Sequence, residues 1–194
     1  MQDFPETRYS LLLRVQGNDR TAWREFSEIY RPMIYRLARR RGWQDADAQD
    51  VAQAVLTKIS KSIPRYDANP DRARFRTWLI TICNNTLIDE LRKRRAQAAS
   101  HSLDTNEPMA EAEVSEQEIT LETRRQIFRW AARHANRAFS ATTWKAFWMT
   151  TIEAQSVRSV SSQLGISVGA VYTARSRVMQ FLKQKVQEYD DADM

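Results

Sequence analysis

The chain has 194 residues, which is enough for one or two small domains that each bury a core. Its 4 glycines and 5 prolines argue against an all-β fold, and its single cysteine and 2 histidines exclude a disulfide framework and a zinc cluster. The net charge of +6 is compatible with a polyanionic partner such as nucleic acid, and equally with a solvated basic surface.

Two further features bear on where the chain works. The N-terminal stretch MQDFPETRYS lacks the charged start and the apolar run of a signal peptide. No stretch of about 18 apolar residues is present that could span a membrane. We therefore expect a cytoplasmic protein without membrane contact.

The charge is unevenly distributed along the chain. Residues 1–98 carry 19 Lys and Arg against 12 Asp and Glu, and residues 121–194 carry 11 against 6. Residues 99–120 carry no Lys or Arg and 6 acidic residues. Two basic blocks therefore flank an acidic strip. The polar and small residues at 97–118 lack a period of large apolar side chains, which predicts a flexible acidic linker.

Helical periodicity begins the first basic block. The stretch TRYSLLLRVQ predicts a short helix that ends at the turn Gly17–Asn18, and Asp19 can cap the next helix. Pro32 falls inside this second helix and should kink or split it, and Gly42 ends it. Apolar positions at three-to-four spacing define its buried side: Trp23, Phe26, Tyr30, Ile34 and Leu37.

A third helix is predicted from about Asp45 to Ser62, with Pro64 as its stop. Asp47, Asp50 and Gln53 follow each other at three-residue steps, so they share one exposed face. An ordinary solvated face would explain them. DNA would repel this acidic face, however, so its position inside a basic block favours a basic protein partner.

A fourth helix is predicted to begin near Phe75, after the loop PRYDANPDRAR, and to continue through RTWLITICNNTLIDELRKRR. Aromatic rings, the amides of Asn84 and Asn85, and the cationic run Arg92 to Arg95 together suit single-stranded or melting DNA. The alternative is that Phe75 and Trp78 belong to the core, and we expect this for Trp78.

The second block contains further predicted helices. ITLETRRQIFRWAARHANRAF forms one, and Ser140 can cap another over TTWKAFWMTTIEA. Ser156 can cap a short helix, VRSVSSQL, which Gly165 ends, and Ser167 can cap a long final helix.

The last two predicted helices and their three-residue turn match the helix-turn-helix pattern. Seven apolar residues would hold the two helices together: Val157, Val160, Leu164, Ile166, Val171, Val178 and Leu182. Tyr172 and Thr173, with Ser176 behind them, lie where such a helix meets base edges, whereas Arg158, Arg177 and Lys183 suit phosphates. A helical hairpin packed only for structural reasons is the alternative.

Several of these motifs in this order resemble an extracytoplasmic-function (ECF) sigma factor of the sigma-70 family. The resemblance covers roughly residues 8–95 and 120–186, and it includes AWREFSEIYRPMIYRLARRRG, DAQDVAQAVLTKI and SSQLGISVGAVYTARSRVMQFL. It implies an all-α chain with region 2 at 1–96, the linker at 97–118 and region 4, a helix-turn-helix domain, at 119–194. The implied function is a non-enzymatic transcription initiation factor without cofactor or metal.

The resemblance also implies partners and site residues. The partners are core RNA polymerase, through its β′ coiled coil and β flap, and promoter DNA, and the family commonly adds an anti-sigma factor. Three residues would bind polymerase: Asp47, Asp50 and Gln53. Seven would contact the minus-ten element: Tyr66, Arg72, Arg74, Phe75, Asn85, Arg92 and Arg95. Seven would contact the minus-thirty-five element: Arg158, Ser167, Ala170, Tyr172, Thr173, Ser176 and Arg177.

Two other classes of function account for some of these features less well. A helix-turn-helix regulator that is not a sigma factor would explain the second block, but not the acidic face or the aromatic and amide-bearing helix. An enzyme acting on nucleic acid is disfavoured, because the sequence has no Gly-rich phosphate loop, no HxE or CxxC pair and no nuclease-type carboxylate cluster.

Overall fold

The computed structural model describes residues 8–67, 75–100 and 113–190, and all of the regular secondary structure in these ranges is helical. The predicted all-α class is therefore confirmed for the described part of the chain. The elements are α1 (Arg8–Gln16), α2 (Arg20–Arg40), α3 (Asp45–Ser62), a 3-10 turn (Ile63–Arg65), α4 (Phe75–Ser100), α5 (Glu116–Ala138), α6 (Ala141–Thr151), α7 (Val157–Leu164) and α8 (Val168–Asp190).

The chain divides into two compact units, one formed by Tyr9–Gln126 and the other containing Ile127–Met194. Of the predicted linker at 97–118, residues 101–112 lie outside the described residues. Its two ends are helical, because α4 continues to Ser100 and α5 begins at Glu116.

The core of the first unit is built by α2, α3 and α4. Asp19 caps α2 by accepting hydrogen bonds from the Thr21 and Ala22 backbone N–H groups, as the sequence predicts. Pro32 does not split α2, because apolar side chains on both sides of it are buried and hold the helix in place. The fully buried residues include Phe26, Ile29, Met33, Ile34, Leu37, Val55 and Ile59.

The first turns of α5 belong to the first unit and are held there by polar contacts. The Asn84 side chain donates to the Val114 carbonyl (3.2 Å) and accepts from the Val114 N–H (2.8 Å). Arg41, itself buried, donates to Glu118 (2.9 Å). Residues at the end of the predicted linker at 97–118 therefore contact the first unit.

Glu122 is the most unusual residue of this contact, because its side chain is fully buried. Its carboxylate pairs with Arg40 at 2.8 Å, lies 3.6 Å from Arg36 and 3.4 Å from Arg125, and accepts a hydrogen bond from Gln126 at 2.7 Å. A buried charge is tolerated only when partners of this kind compensate its loss of hydration.

In the second unit, α7 and α8 are joined by a sharp turn. Ser156 caps α7, and Gly165 ends it in the left-handed conformation, at φ 63°. Ser167 begins α8 by accepting a hydrogen bond from the Ala170 N–H at 3.1 Å. The small core between α6, α7 and α8 contains Ala146, Val160, Val171 and Ala174, with Met149, Val157, Leu164 and Ile166 packed against it.

Candidate nucleic-acid and partner interfaces

The acidic face at the start of α3 is only partly free. Asp50 and Gln53 are exposed, as predicted. Asp47 is half-buried and forms an ion pair with Arg94 of α4 at 2.9 Å. Arg94 also lies 5.8 Å from the centroid of the buried Trp43 ring. The outward charge of this face therefore rests on Asp50 more than on Asp47.

Asp45 stabilises the first turn of α3. Its carboxylate accepts hydrogen bonds from the Tyr35 hydroxyl and from Gln49, and the bond from Tyr35 is the main reason that the pKa of Asp45 is lowered. Acidic side chains in the first turn also interact favourably with the helix dipole. This arrangement fixes the helix end that presents Asp50.

An aromatic cluster lies where α4 begins, and it corrects part of the predicted minus-ten surface. Phe75 is buried, with ring centroids 5.6 Å from Tyr30 and 5.8 Å from Tyr66. A ring enclosed in this way supports the surface and does not stack on a base in this conformation. Trp78, which we expected in the core, is half-buried. The centroid of its ring lies 4.9 Å from that of the half-buried Tyr66 ring.

The two neighbouring amides of α4 have different environments. Asn85 is exposed, whereas both ends of the Asn84 amide are engaged by Val114. Only Asn85 is thus placed to meet an external ligand. Arg72 and Arg74 lie outside the described residues.

The cationic end of α4 is exposed in part. Arg92 and Arg95 are exposed. Lys93 pairs with Glu90 at 2.6 Å. Lys58 of α3 pairs with Asp89 at 2.8 Å, and this hydrogen bond lowers the pKa of Asp89.

On the second unit, all seven residues predicted for the minus-thirty-five element are exposed. Tyr172 is 56% exposed. The Arg177 guanidinium lies 5.7 Å from the centroid of the Phe139 ring. A groove on α8 is lined by Tyr172, Arg175, Ser176, Met179, Gln180 and Lys183. The sequence pattern did not indicate Met179 or Gln180 as part of this face.

The described ranges offer neither a metal site nor an exposed thiol. They contain no group of three His, Cys, Asp or Glu side chains that could hold a metal ion. Cys83 is buried, and this burial raises the pKa of its thiol to about 12, so it is not a nucleophile at neutral pH. Among the described helices, none has the length and apolar character needed to cross a membrane.

Part of the chain is similar to known proteins. Residues 26–97 match the family model of Sigma-70 region 2. The chain is also 32% identical over 82 residues to the ECF RNA polymerase sigma factor SigW of Bacillus subtilis (strain 168). This similarity spans 42% of the chain and 42% of that relative. The family match contains α3 with its acidic face and nearly all of α4, whereas α5 to α8 lie beyond it.

Proposed function

We propose that this chain is an ECF sigma factor of the sigma-70 family, which binds core RNA polymerase and directs it to specific promoters. One observation carries this proposal: the region that matches the family contains two different exposed surfaces. The start of α3 exposes an acidic surface, and α4 exposes an amide and basic side chains. The acidic surface suits a basic protein partner, whereas Asn85, Arg92 and Arg95 suit DNA.

The polymerase contact is proposed to be the start of α3. Asp50 and Gln53 would meet the β′ coiled coil directly, while Asp47 would act through its ion pair with Arg94. The second unit would bind the β flap. The chain would work in the cytoplasm with the polymerase, and an anti-sigma factor is the further partner that the family suggests.

The DNA contacts are proposed to be divided between the two units. In the first unit, Asn85, Tyr66, Arg92 and Arg95 would contact the minus-ten element. In the second unit, α7, the Gly165 turn and α8 would act as a helix-turn-helix that reads the minus-thirty-five element in the major groove. A helix-turn-helix regulator that works without polymerase would need the second surface and not the first.

If α8 reads bases, substitutions on its exposed face should change which DNA sequences are preferred. Tyr172 and Thr173 project from its first turns, so the double change Tyr172→Ala, Thr173→Ala should relax the preference for one or two upstream positions, at a cost of about 1–3 kcal/mol. Arg177→Ala should weaken binding to all DNA sequences alike. It should also flatten the salt dependence of affinity by the amount expected for the loss of about one phosphate contact. The measurement is selection by the polymerase complex from randomised upstream elements, followed by affinities at several salt concentrations.

The core provides the control for this experiment. Val178 is fully buried, so Val178→Ala should lower the melting temperature of the second unit without changing which upstream sequences are selected. Identical selected sequences from the wild type and the double variant would remove the base-reading role from Tyr172 and Thr173.

A further inference from the structure

Three arginines form a row on the second half of α5. Arg129, Arg133 and Arg137 are spaced four residues apart, so they follow one side of the helix. All three are exposed. Within the described residues, none of them forms an ion pair or a hydrogen bond through its side chain. We call these three residues the α5 arginine row.

The row has no evident structural purpose. Like charges four residues apart repel each other and reduce helix stability. Nearby acidic residues could offset this repulsion, yet residues 127–187 contain 9 Lys and Arg and a single acidic residue, Glu153. Glu153 accepts a hydrogen bond from Gln155 in the turn after α6. Between residues 127 and 187, acidic side chains are therefore too few to offset the repulsion along α5.

The row ends beside α8. Phe139 directly follows α5, and its ring packs edge-on against Phe181 of α8 at 5.5 Å. The same ring lies under the guanidinium of Arg177. Farther back along α5, the Trp130 ring lies 5.8 Å from the ammonium group of Lys185. The end of α5 that carries the row therefore packs against α8 through Phe139, and α8 brings Arg177 to that ring.

We propose that Arg129, Arg133 and Arg137 form a second DNA contact of this unit, which binds the phosphate backbone of duplex DNA without reading its bases. The row extends over about 12 Å of α5, which matches three to four phosphates of one strand. It deepens the proposed promoter binding and rests on it for its biological role. The row supplies affinity that is independent of sequence, whereas α8 supplies sequence preference.

The test measures binding of the full chain, without polymerase, to a 40-bp duplex of random sequence at several salt concentrations. Each phosphate contact contributes about 0.9 to the slope of log affinity against log salt. The triple change Arg129→Ala, Arg133→Ala, Arg137→Ala should therefore flatten this slope by about 2.7. The matched variant with lysine at all three positions keeps the charge and should retain a slope close to that of the wild type.

If the triple alanine variant melts at a lower temperature than the wild type, single Arg→Gln changes at the same positions repeat the test. Each should flatten the slope of log affinity against log salt by about 0.9. An unchanged slope in the alanine and glutamine variants would overturn the proposal, as would a wild type that binds no duplex at low salt. Promoter-dependent transcription with core polymerase is measured separately. If the chain supports transcription but the salt slope of its DNA affinity does not change in the row variants, only the proposed DNA contact of the α5 arginine row is refuted. If the chain does not support transcription, the proposed function is refuted.

Discussion

Asp50→Arg should abolish most of the binding to core RNA polymerase, with a loss of about 2–5 kcal/mol. Asp50 is the exposed carboxylate of the proposed docking face, since Asp47 is paired with Arg94. The reversal places a positive charge against a basic partner and removes both the attraction during approach and the final contact. The measurement is a titration of core polymerase with the labelled full chain.

Glu28→Arg provides the matched control, because it makes the same charge reversal at an exposed position on α2. It should leave polymerase affinity nearly unchanged. The DNA salt dependence of the second unit should be the same in both variants. If Asp50→Arg binds polymerase as tightly as Glu28→Arg does, the assignment of the start of α3 to docking is wrong.

Glu122→Ala should destabilise the first unit by about 3 kcal/mol. The Glu122 side chain is fully buried, and its loss would leave a cavity and deprive Arg40 and Gln126 of their partner. Arg36, Arg40 and Arg125 are partly exposed, so water would compensate them in part. The measurement is amide hydrogen exchange in α2 and α4, which reports the free energy of opening of this unit.

Two controls accompany this change. Glu116→Ala removes an exposed carboxylate from the first turn of the same helix and should cost less than about 1 kcal/mol. Amides of α7 should exchange at the wild-type rate in both variants, because the second unit has its own core. Equal protection of α2 in Glu122→Ala and in the wild type would show that the start of α5 is not part of the first unit.

The helices and their ends could largely be predicted from the sequence, because they depend on local signals. Three-to-four apolar spacing predicts the buried side of α2. The caps at Asp19, Ser140 and Ser156 and the left-handed Gly165 need only their immediate neighbours, and all four form as expected. The turn before α7 is an exception, because Ala154 adopts a φ of 54° without being glycine.

The environment of individual polar side chains could not be predicted in the same way. Glu122 lies two residues after the acidic strip and looks like any solvated carboxylate in the sequence. Its burial depends on Arg40, 82 residues away in the chain. Asn84 and Asn85 are adjacent and chemically identical, yet only tertiary contact with Val114 distinguishes them. Periodicity likewise places Phe75 on a helix but does not say whether α2 covers it.

Run-off transcription with core RNA polymerase and a library of genomic DNA fragments is the decisive experiment for the proposed function. We expect defined transcripts that appear only when the chain is added, from fragments that share a minus-ten and a minus-thirty-five element. Asp50→Arg should eliminate these transcripts, and Tyr172→Ala with Thr173→Ala should change which upstream elements are used. If the same transcripts appear with and without the chain, under conditions where it binds the polymerase, the chain does not direct the polymerase to specific promoters.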